Sequence, residues 1–146
     1  MLASIDFSIK LWHGRSQYLM MTLTGHSNWV RAMAIVPEQS RIWSGSDDAT
    51  IRVWDTRAGT ESTLIHVREG VVSMLRVGDQ IWAGTRGNSI KVYNADSLEL
   101  VQTLTGHKGW VNCLAVVGEH VWSGSADRTL RVWDPKVCVC VCDRLK

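Results

Sequence analysis

Aromatic residues other than tryptophan are almost missing from this chain of 146 residues, which has one phenylalanine and two tyrosines. An excess of either charge is missing too. The chain has 16 basic and 14 acidic residues, and its lysines and arginines form no run. Electrostatics therefore predicts no nucleic-acid partner. No apolar run approaches the roughly 18 residues of a membrane span, and the N-terminus lacks the pattern of a secretion signal. These absences predict a cytoplasmic or nuclear protein with no membrane partner.

Cysteine is scarce and unevenly placed. Cys138, Cys140 and Cys142 alternate with valine near the C-terminus, and Cys113 stands alone, so no disulfide framework is predicted. On a strand the three alternating thiols would project from one face and could hold a soft metal ion. Structural zinc sites, however, usually take cysteines from turns with two to four residues between them. We predict no metal site and no cofactor, and interpret residues 137–146 as a divergent tail compatible with an edge strand.

Tryptophan, by contrast, is abundant, and its eight copies reveal a repeat. The stretch WSGSDDATIRVWD (Trp43–Asp55) returns as WSGSADRTLRVWD (Trp122–Asp134) with three differences. The residues aligned with the last tryptophan of these stretches are Trp12, Trp54, Tyr93 and Trp133, at spacings of 42, 39 and 40 residues. The other tryptophans form two further columns, Trp43, Trp82 and Trp122, and Trp29 and Trp110. The chain therefore repeats a unit of about 40 residues.

Each unit contains short runs of β type separated by turn residues. WVRAMAIV, VVSMLRV and WVNCLAVV are apolar and partly β-branched, and RIWSGS, QIWAGT and HVWSGS follow them. TIRVWD, SIKVYN and TLRVWD then alternate between apolar and polar residues. A fourth run, such as LELVQTL, completes the unit. Four short strands with tight turns and no helical period predict a four-stranded antiparallel sheet.

Gly-His pairs (Gly25-His26, Gly106-His107) and closing Trp-Asp pairs (Trp54-Asp55, Trp133-Asp134) resemble the WD40 family of β-propellers. The resemblance implies an all-β fold of four-stranded antiparallel blades, here an incomplete ring of about three and a half. The predicted segments are a partial blade formed by the third and fourth strands (1–23), blade 1 (24–65), a degenerate blade 2 (66–105), blade 3 (106–136) and the tail (137–146).

The resemblance also implies a hydrogen-bonded tetrad of His, Ser, Asp and Trp in each regular blade. Its members would be His26, Ser44, Asp48 and Trp54 in blade 1, and His107, Ser123, Asp127 and Trp133 in blade 3. A buried Asp needs donors, which a His N–H and a Ser hydroxyl can supply, and the hydroxyl can accept from the indole. Blade 2 has Arg68, Ala83, Gly87 and Tyr93 at these positions. All four tetrad residues are thus lost together. This fits a buried network in which a partly satisfied set of hydrogen bonds is less stable than none.

Serine, histidine and aspartate also make up the catalytic triad of many hydrolases, with Ser44 or Ser123 as the nucleophile. Three observations oppose this interpretation. The set occurs twice at equivalent positions, it lies within predicted strands, and no Gly-x-Ser-x-Gly elbow accompanies it. We therefore predict no catalytic residue and interpret both sets as structural.

Partner contacts in WD40 proteins tend to lie on the rim where each first strand begins and around the turn before the tetrad Asp. The residues of this sequence that the resemblance places there as partner-binding candidates are Trp29, Arg31, Asp47, Arg86, Trp110 and Asn112. Tryptophan and arginine dominate binding hot spots, and Arg31 and Arg86 could receive an acidic or phosphorylated peptide. The open alternative is that both indoles pack under loops and both arginines are solvated.

The functional prediction is a non-enzymatic scaffold that binds a partner protein or peptide on the propeller rim. The alternative is a WD40 fragment of a larger multidomain enzyme or ligase complex, whose catalytic part lies outside this chain. An incomplete ring has open blade faces, so a second copy or the rest of a longer propeller is expected to close it.

Overall fold

The computed structural model describes residues 2–3 and 6–141, with side chains described from residue 6 onward. It confirms the predicted fold class, because the sheets are antiparallel and three of them have four strands. The strands of blade 1 are β4 (Val30–Val36), β5 (Arg41–Ser46), β6 (Thr50–Asp55) and β7 (Thr60–His66). Those of blade 2 are β8 (Val71–Val77), β9 (Gln80–Thr85), β10 (Ile90–Asn94) and β11 (Leu100–Leu104). Those of blade 3 are β12 (Val111–Val117), β13 (His120–Ser125), β14 (Leu130–Asp134) and β15 (Val139–Cys140).

The N-terminal sheet contains β1 (Leu2–Ala3), β2 (Ile9–Trp12) and β3 (Leu19–Leu23). The sequence predicted two strands in this partial blade, and the structure adds β1 as a third. Leu2 and Ala3 pair antiparallel with Lys10 and Ile9. The added strand supplies hydrogen-bonding partners to an edge of β2 that two strands alone would leave open.

The C-terminal tail forms a shorter strand than its alternating sequence predicts. Val139 and Cys140 pair with Asp134 and Trp133 of β14, but Cys138 has a left-handed φ of 49°. A turn therefore interrupts the extended backbone directly before β15. The prediction that Cys138 and Cys140 project from one strand face is wrong, since Cys138 lies in the turn and is buried. Cys142, the third thiol, lies outside the described residues.

The chain divides into two compact units, residues 1–71 and 72–146. In the first unit, Ile9 and Leu23 of the partial blade pack with Val30, Ile42 and Trp54 of blade 1. In the second unit, the core joins residues of blade 2 to residues of blade 3. Its buried members are Trp82, Ile90, Val92, Leu104, Val111, Val121, Trp133 and Cys138. In both units, successive sheets therefore share one apolar core.

Identical repeat positions differ in burial according to what covers them. Trp43 and Trp82 are fully buried, whereas Trp122, the last tryptophan of the same column, is half-buried. Ile90 of blade 2 is 0% exposed, and Leu130, its equivalent in blade 3, is 66% exposed. The outer face of blade 3 thus leaves apolar side chains open to solvent. No helix in the described part of the chain has the length and apolarity needed to cross a membrane.

This difference predicts unequal effects of truncation at two equivalent positions. Ile90→Ala removes fully buried methyl groups, and we expect it to lower the free energy of unfolding by about 3 kcal/mol. Leu130→Ala should lower it by less than about 1 kcal/mol, because solvent already surrounds most of that side chain. Urea denaturation of both variants measures the contrast. Equal losses would contradict the exposure of Leu130 in solution.

Candidate functional site

Four side chains of blade 1 form one buried chain of hydrogen bonds. His26 precedes β4, Ser44 lies on β5, Asp48 follows β5 in a turn, and Trp54 lies on β6. The His26 ring reaches the Asp48 Oδ2 atom with Nδ1 at 2.7 Å and the Ser44 hydroxyl with Nε2 at 2.7 Å. The Trp54 indole N–H donates to the same hydroxyl at 2.8 Å. The structure therefore brings together the four residues that the resemblance singled out.

Blade 3 repeats this arrangement. His107 Nδ1 lies 2.9 Å from Asp127 Oδ2, and His107 Nε2 lies 2.8 Å from the Ser123 hydroxyl. Trp133 donates its indole N–H to that hydroxyl at 2.8 Å. The neutral tautomer that satisfies both networks carries its proton on Nδ1, facing the carboxylate. Nε2 then accepts from the serine hydroxyl, which in turn accepts from the indole.

The order of partners differs from the sequence-based expectation in one respect. Ser44 contacts His26 and Trp54, and reaches Asp48 only through the histidine. The carboxylate takes its other hydrogen bonds from the Thr50 hydroxyl at 2.6 Å, the Thr50 N–H at 2.9 Å and the Ser27 N–H at 3.1 Å. Thr129 does the same for Asp127. Sequence reasoning missed both threonines, although DDAT and ADRT place one two residues after each Asp.

The environment sets the charge of these groups. Burial lowers the pKa of His26, and this effect outweighs the hydrogen bond that the His26 ring donates to Asp48, which raises that pKa. Burial alone would raise the pKa of Asp48, but hydrogen bonds from Thr50 and His26 outweigh it and hold that pKa below its usual value. The Thr129 hydroxyl is the main cause that lowers the pKa of Asp127. At neutral pH, a neutral His26 therefore faces an ionised Asp48.

These shifts predict that stability falls with pH on the acid side of neutrality. The folded-state pKa of His26 lies below 6.5, so the unfolded chain binds the proton first as the pH falls through that value. The lowered pKa of Asp48 and Asp127 adds a second loss below about pH 4. We expect the melting temperature to be flat above pH 7 and to decline from there to pH 5.5.

Thermal unfolding between pH 5 and 8 measures this decline. His26→Gln should flatten the step near pH 6.5, and His66→Gln, which changes an exposed histidine, should leave it unchanged. A melting temperature that rises between pH 7 and 5.5 would contradict the assigned direction.

The tetrads resemble a catalytic triad in partner order but not in accessibility. Ser44 and Ser123 are 0% exposed, and each hydroxyl already bonds to an indole and an imidazole. A nucleophile needs a path by which a substrate can approach it. Neither serine has one in this structure, which favours a structural role for both tetrads.

Blade 2 replaces the tetrad by apolar contacts and a tight turn. Ala83 and Tyr93 occupy the serine and tryptophan positions and are both buried. At the turn, the Thr85 hydroxyl donates to the Ser89 backbone oxygen at 3.0 Å. The blade therefore folds without a buried histidine or carboxylate at the equivalent positions.

The rim of blade 1 carries a cluster of three candidate residues. Trp29 is 46% exposed, and the guanidinium of Arg31 lies over its ring, 4.4 Å from the centroid. Arg31 also bonds to Asp47, with its Nε 2.9 Å and its Nη2 2.8 Å from Oδ2. The strand register shifts between Val30 and Ala32, so Arg31 is the extra residue of a β-bulge. A bulge re-aims the side chain it carries, here along the rim.

A second cluster lies on the rim of the second unit. Trp110 is 47% exposed, and the guanidinium of Arg86, from the β9–β10 turn, lies over its ring at 4.5 Å. Asn112 is exposed and occupies the bulge position of β12. Ala126 stands where blade 1 has Asp47, and its N–H donates to the Trp110 backbone oxygen at 2.9 Å. Three of the six rim candidates thus lie together in the first unit and three in the second.

Comparisons with known proteins agree with this architecture. The model of the family described as "WD domain, G-beta repeat" matches residues 17–55 and 98–134. A nuclear distribution protein PAC1 from Arthroderma benhamiae is 31% identical over 90% of this chain and 34% of its own length. The B-type cell cycle switch protein ccs52B from Medicago truncatula is 32% identical over 88% of this chain and 28% of its own length.

A similar solved structure is the crystal structure of the RRP9 WD40 repeats. It superposes with a TM-score of 0.76 at 27% identity, over 82% of this chain and 39% of that one. The chain spans about a third of the length of the PAC1 proteins it matches. The matches therefore cover the repeats, not the whole of the longer relatives.

Proposed function

This chain belongs to the WD40-repeat family, and from that premise we propose that it is a non-enzymatic scaffold that binds a partner protein or peptide on its rim. WD40 propellers are generally non-catalytic interaction platforms, and the chain is one of this family. We place the partner contact at the two clusters around Trp29 and Trp110.

The exposure of these two indoles is the observation that carries the proposal. Four of the other tryptophans, Trp43, Trp54, Trp82 and Trp133, are at most 2% exposed, whereas Trp122 is half-buried and Trp12 of the N-terminal sheet is 43% exposed. Trp29 and Trp110 occupy one repeat position and are both nearly half exposed. Tryptophan and arginine are two of the residue types most enriched in binding hot spots.

The rim clusters are also rigidly placed, which favours recognition. Asp47 N–H donates to the Trp29 backbone oxygen at 3.0 Å, as Ala126 N–H does to that of Trp110. The Ser46 and Ser125 hydroxyls donate to backbone oxygens of the same loops at 3.1 and 2.9 Å. A pre-organised surface loses less conformational entropy when it binds.

Site-specific crosslinking in cells tests the proposal. A photoreactive amino acid replaces Trp29 or Trp110, and a control replaces Val101, which is 54% exposed on β11 and belongs to neither cluster. We expect defined crosslinked proteins from the rim positions and none of them from position 101. For a partner identified in this way, Trp110→Ala or Trp29→Ala should raise Kd about tenfold or more. The same crosslinks from all three positions would contradict rim binding.

The alternative, a WD40 segment of a larger enzyme or ligase complex, stays a prediction. Its motivation is that the matches cover only 34% and 28% of the length of two of the relatives. We also propose a cytoplasmic or nuclear location for the protein. Identification of the crosslinked partner discriminates between a stand-alone scaffold and a component of such a complex.

A further inference from the structure

Neighbouring sheets within each unit meet through the same two columns of the repeat. In the second unit, Trp133 of blade 3 belongs to one buried core with Trp82 and Ile90 of blade 2. In the first unit, Trp54 of blade 1 belongs to one buried core with Ile9 of the N-terminal sheet. Trp54 and Trp133 are equivalent in the repeat, and so are Ile9 and Ile90. A sheet therefore buries its Ile column under the Trp column of the sheet that follows it.

Blade 3 exposes the face that blade 2 buries. Leu130 is exposed where Ile90 is buried, and Trp122 is half-buried where Trp82 is fully buried. Strand pairing places Ala115 opposite Trp122, and such cross-strand partners lie on one face of a sheet. We call this the blade 3 outer face. Its exposed and half-buried members carry no charge and are Cys113, Ala115, Val117, Trp122 and Leu130.

The N-terminal sheet exposes the other half of the same kind of contact. Trp12 is nearly half exposed, although its repeat equivalents Trp54 and Trp133 are buried. Leu19 pairs with Trp12 across β2 and β3 and is 43% exposed, and Cys140 pairs with Trp133 in the same way in blade 3. Trp12 and Leu19, called here the N-terminal face, thus stand at positions that in blade 3 pack on blade 2.

Charge does not oppose contact between these two faces. Lys10, the cation of β2, already forms an ion pair with Asp6, with Nζ 2.6 Å from Oδ2. Blade 3 carries Arg131 at the position of Lys10 and still packs on blade 2. Contact would therefore bury apolar surface without leaving a new charge unpaired.

We infer that the blade 3 outer face of one copy of this protein binds the N-terminal face of a second copy. Trp12 of one copy packs against Leu130 and Trp122 of the other, as Trp133 packs on blade 2 within a chain. A second copy is the occupant that carries the matching half on its own surface. A contact between two blade 3 outer faces, by contrast, would leave the N-terminal face exposed. Large exposed apolar faces of this kind mark interaction sites.

Complementation between two variants tests the inference. Leu130→Asp places a charge on the blade 3 outer face and leaves the N-terminal face intact, and Leu19→Asp does the reverse. Both side chains are exposed in the single chain, so both variants should fold. Val101→Asp makes the same change at an exposed residue of β11 that belongs to neither face, and it is the matched control. Size-exclusion chromatography with light scattering measures the mass over a range of protein concentrations.

We expect the wild type and Val101→Asp to reach twice the chain mass of 16.4 kDa or a higher multiple, and each of the other two variants alone to stay at 16.4 kDa. An equimolar mixture of Leu130→Asp and Leu19→Asp should form a species of two chains, because each variant supplies the face that the other lacks. This species should not grow further, since both of its free faces carry aspartate. A contact between unlike faces otherwise propagates until it closes.

The small loss expected for Leu130→Ala accordingly refers to the dissociated chain, and its urea denaturation is done below the concentration at which copies associate. Thermal melting of the aspartate variants at that concentration should match the wild type and shows that the fold is retained.

Three outcomes would overturn the inference. The first is a wild type that stays at 16.4 kDa at every concentration. The second is a mixture of the two variants that stays at the mass of single chains. The third is a Leu19→Asp variant that associates like the wild type, which would show that two blade 3 outer faces bind each other. None of these outcomes counts against rim binding, because Trp29 and Trp110 belong to neither face.

Discussion

Replacing Ser44 by alanine is expected to lower the free energy of unfolding by about 2–4 kcal/mol. Its hydroxyl is fully buried and meets both the Trp54 indole N–H and the His26 Nε2 atom. Alanine leaves these two groups buried without that partner, and each unsatisfied group costs about 1–3 kcal/mol. Denaturant unfolding of the purified variant measures the loss.

Two comparisons make the Ser44 result specific to the network. Ser62→Ala removes an exposed hydroxyl that donates to the Val53 backbone oxygen, and should cost less than about 1 kcal/mol. Trp54→Phe removes the indole N–H, so the double variant Ser44→Ala/Trp54→Phe should lose less than the sum of the single losses. Strictly additive losses would show that the two side chains do not act as one network.

Gly84→Ala should be the most damaging single methyl addition in the second unit, with an expected loss of about 3 kcal/mol. A Cβ atom at Gly84 would lie 2.2 Å from the Ser73 Oγ and 2.6 Å from the Val111 backbone oxygen. These two atoms are themselves joined by a 2.8 Å hydrogen bond from blade 2 to blade 3. The new methyl group therefore cannot be accommodated without moving one blade against the other.

Gly14→Ala provides the control for the glycine prediction. A Cβ there would have no neighbour within 4 Å, so the change should be close to neutral. Thermal and urea unfolding of both variants, compared with wild type, give the measurement. If Gly84→Ala had the same melting temperature as the wild type, β8 and β12 would not lie as close to this glycine as the structure places them.

Much of the fold could be predicted from the sequence, because the repeat supplies its own alignment. Equivalent residues of a repeat occupy equivalent strand positions, so the columns of Trp, Ser and Asp identified which residues share a blade interior. Burial could not be predicted in this way. Ile90 and Leu130 occupy the same column, yet a neighbouring sheet covers the first and solvent surrounds the second.

The residues of each tetrad could be predicted from the sequence, but the hydrogen bonds that join them could not. The motif identified His26, Ser44 and Asp48, but the order of their hydrogen bonds depends on atomic geometry. The rim posed a similar problem. Nothing in the pattern shows that Arg86 of blade 2 lies over Trp110 of blade 3, because that pair joins two repeats through their turns. Partner binding by these rim residues stays a prediction, which site-specific crosslinking tests.

Each tetrad closes within its own blade, from His26 to Trp54 in one and from His107 to Trp133 in the other. A gene segment that encodes a regular blade therefore carries all four members of its tetrad. Tandem duplication or unequal recombination can add or remove such a segment without separating the members of a tetrad. Within each unit, the core that adjacent sheets share is apolar and non-directional, so it tolerates a new neighbour more readily. Duplication and recombination can thus change the number of repeats in such a gene while each tetrad is inherited intact.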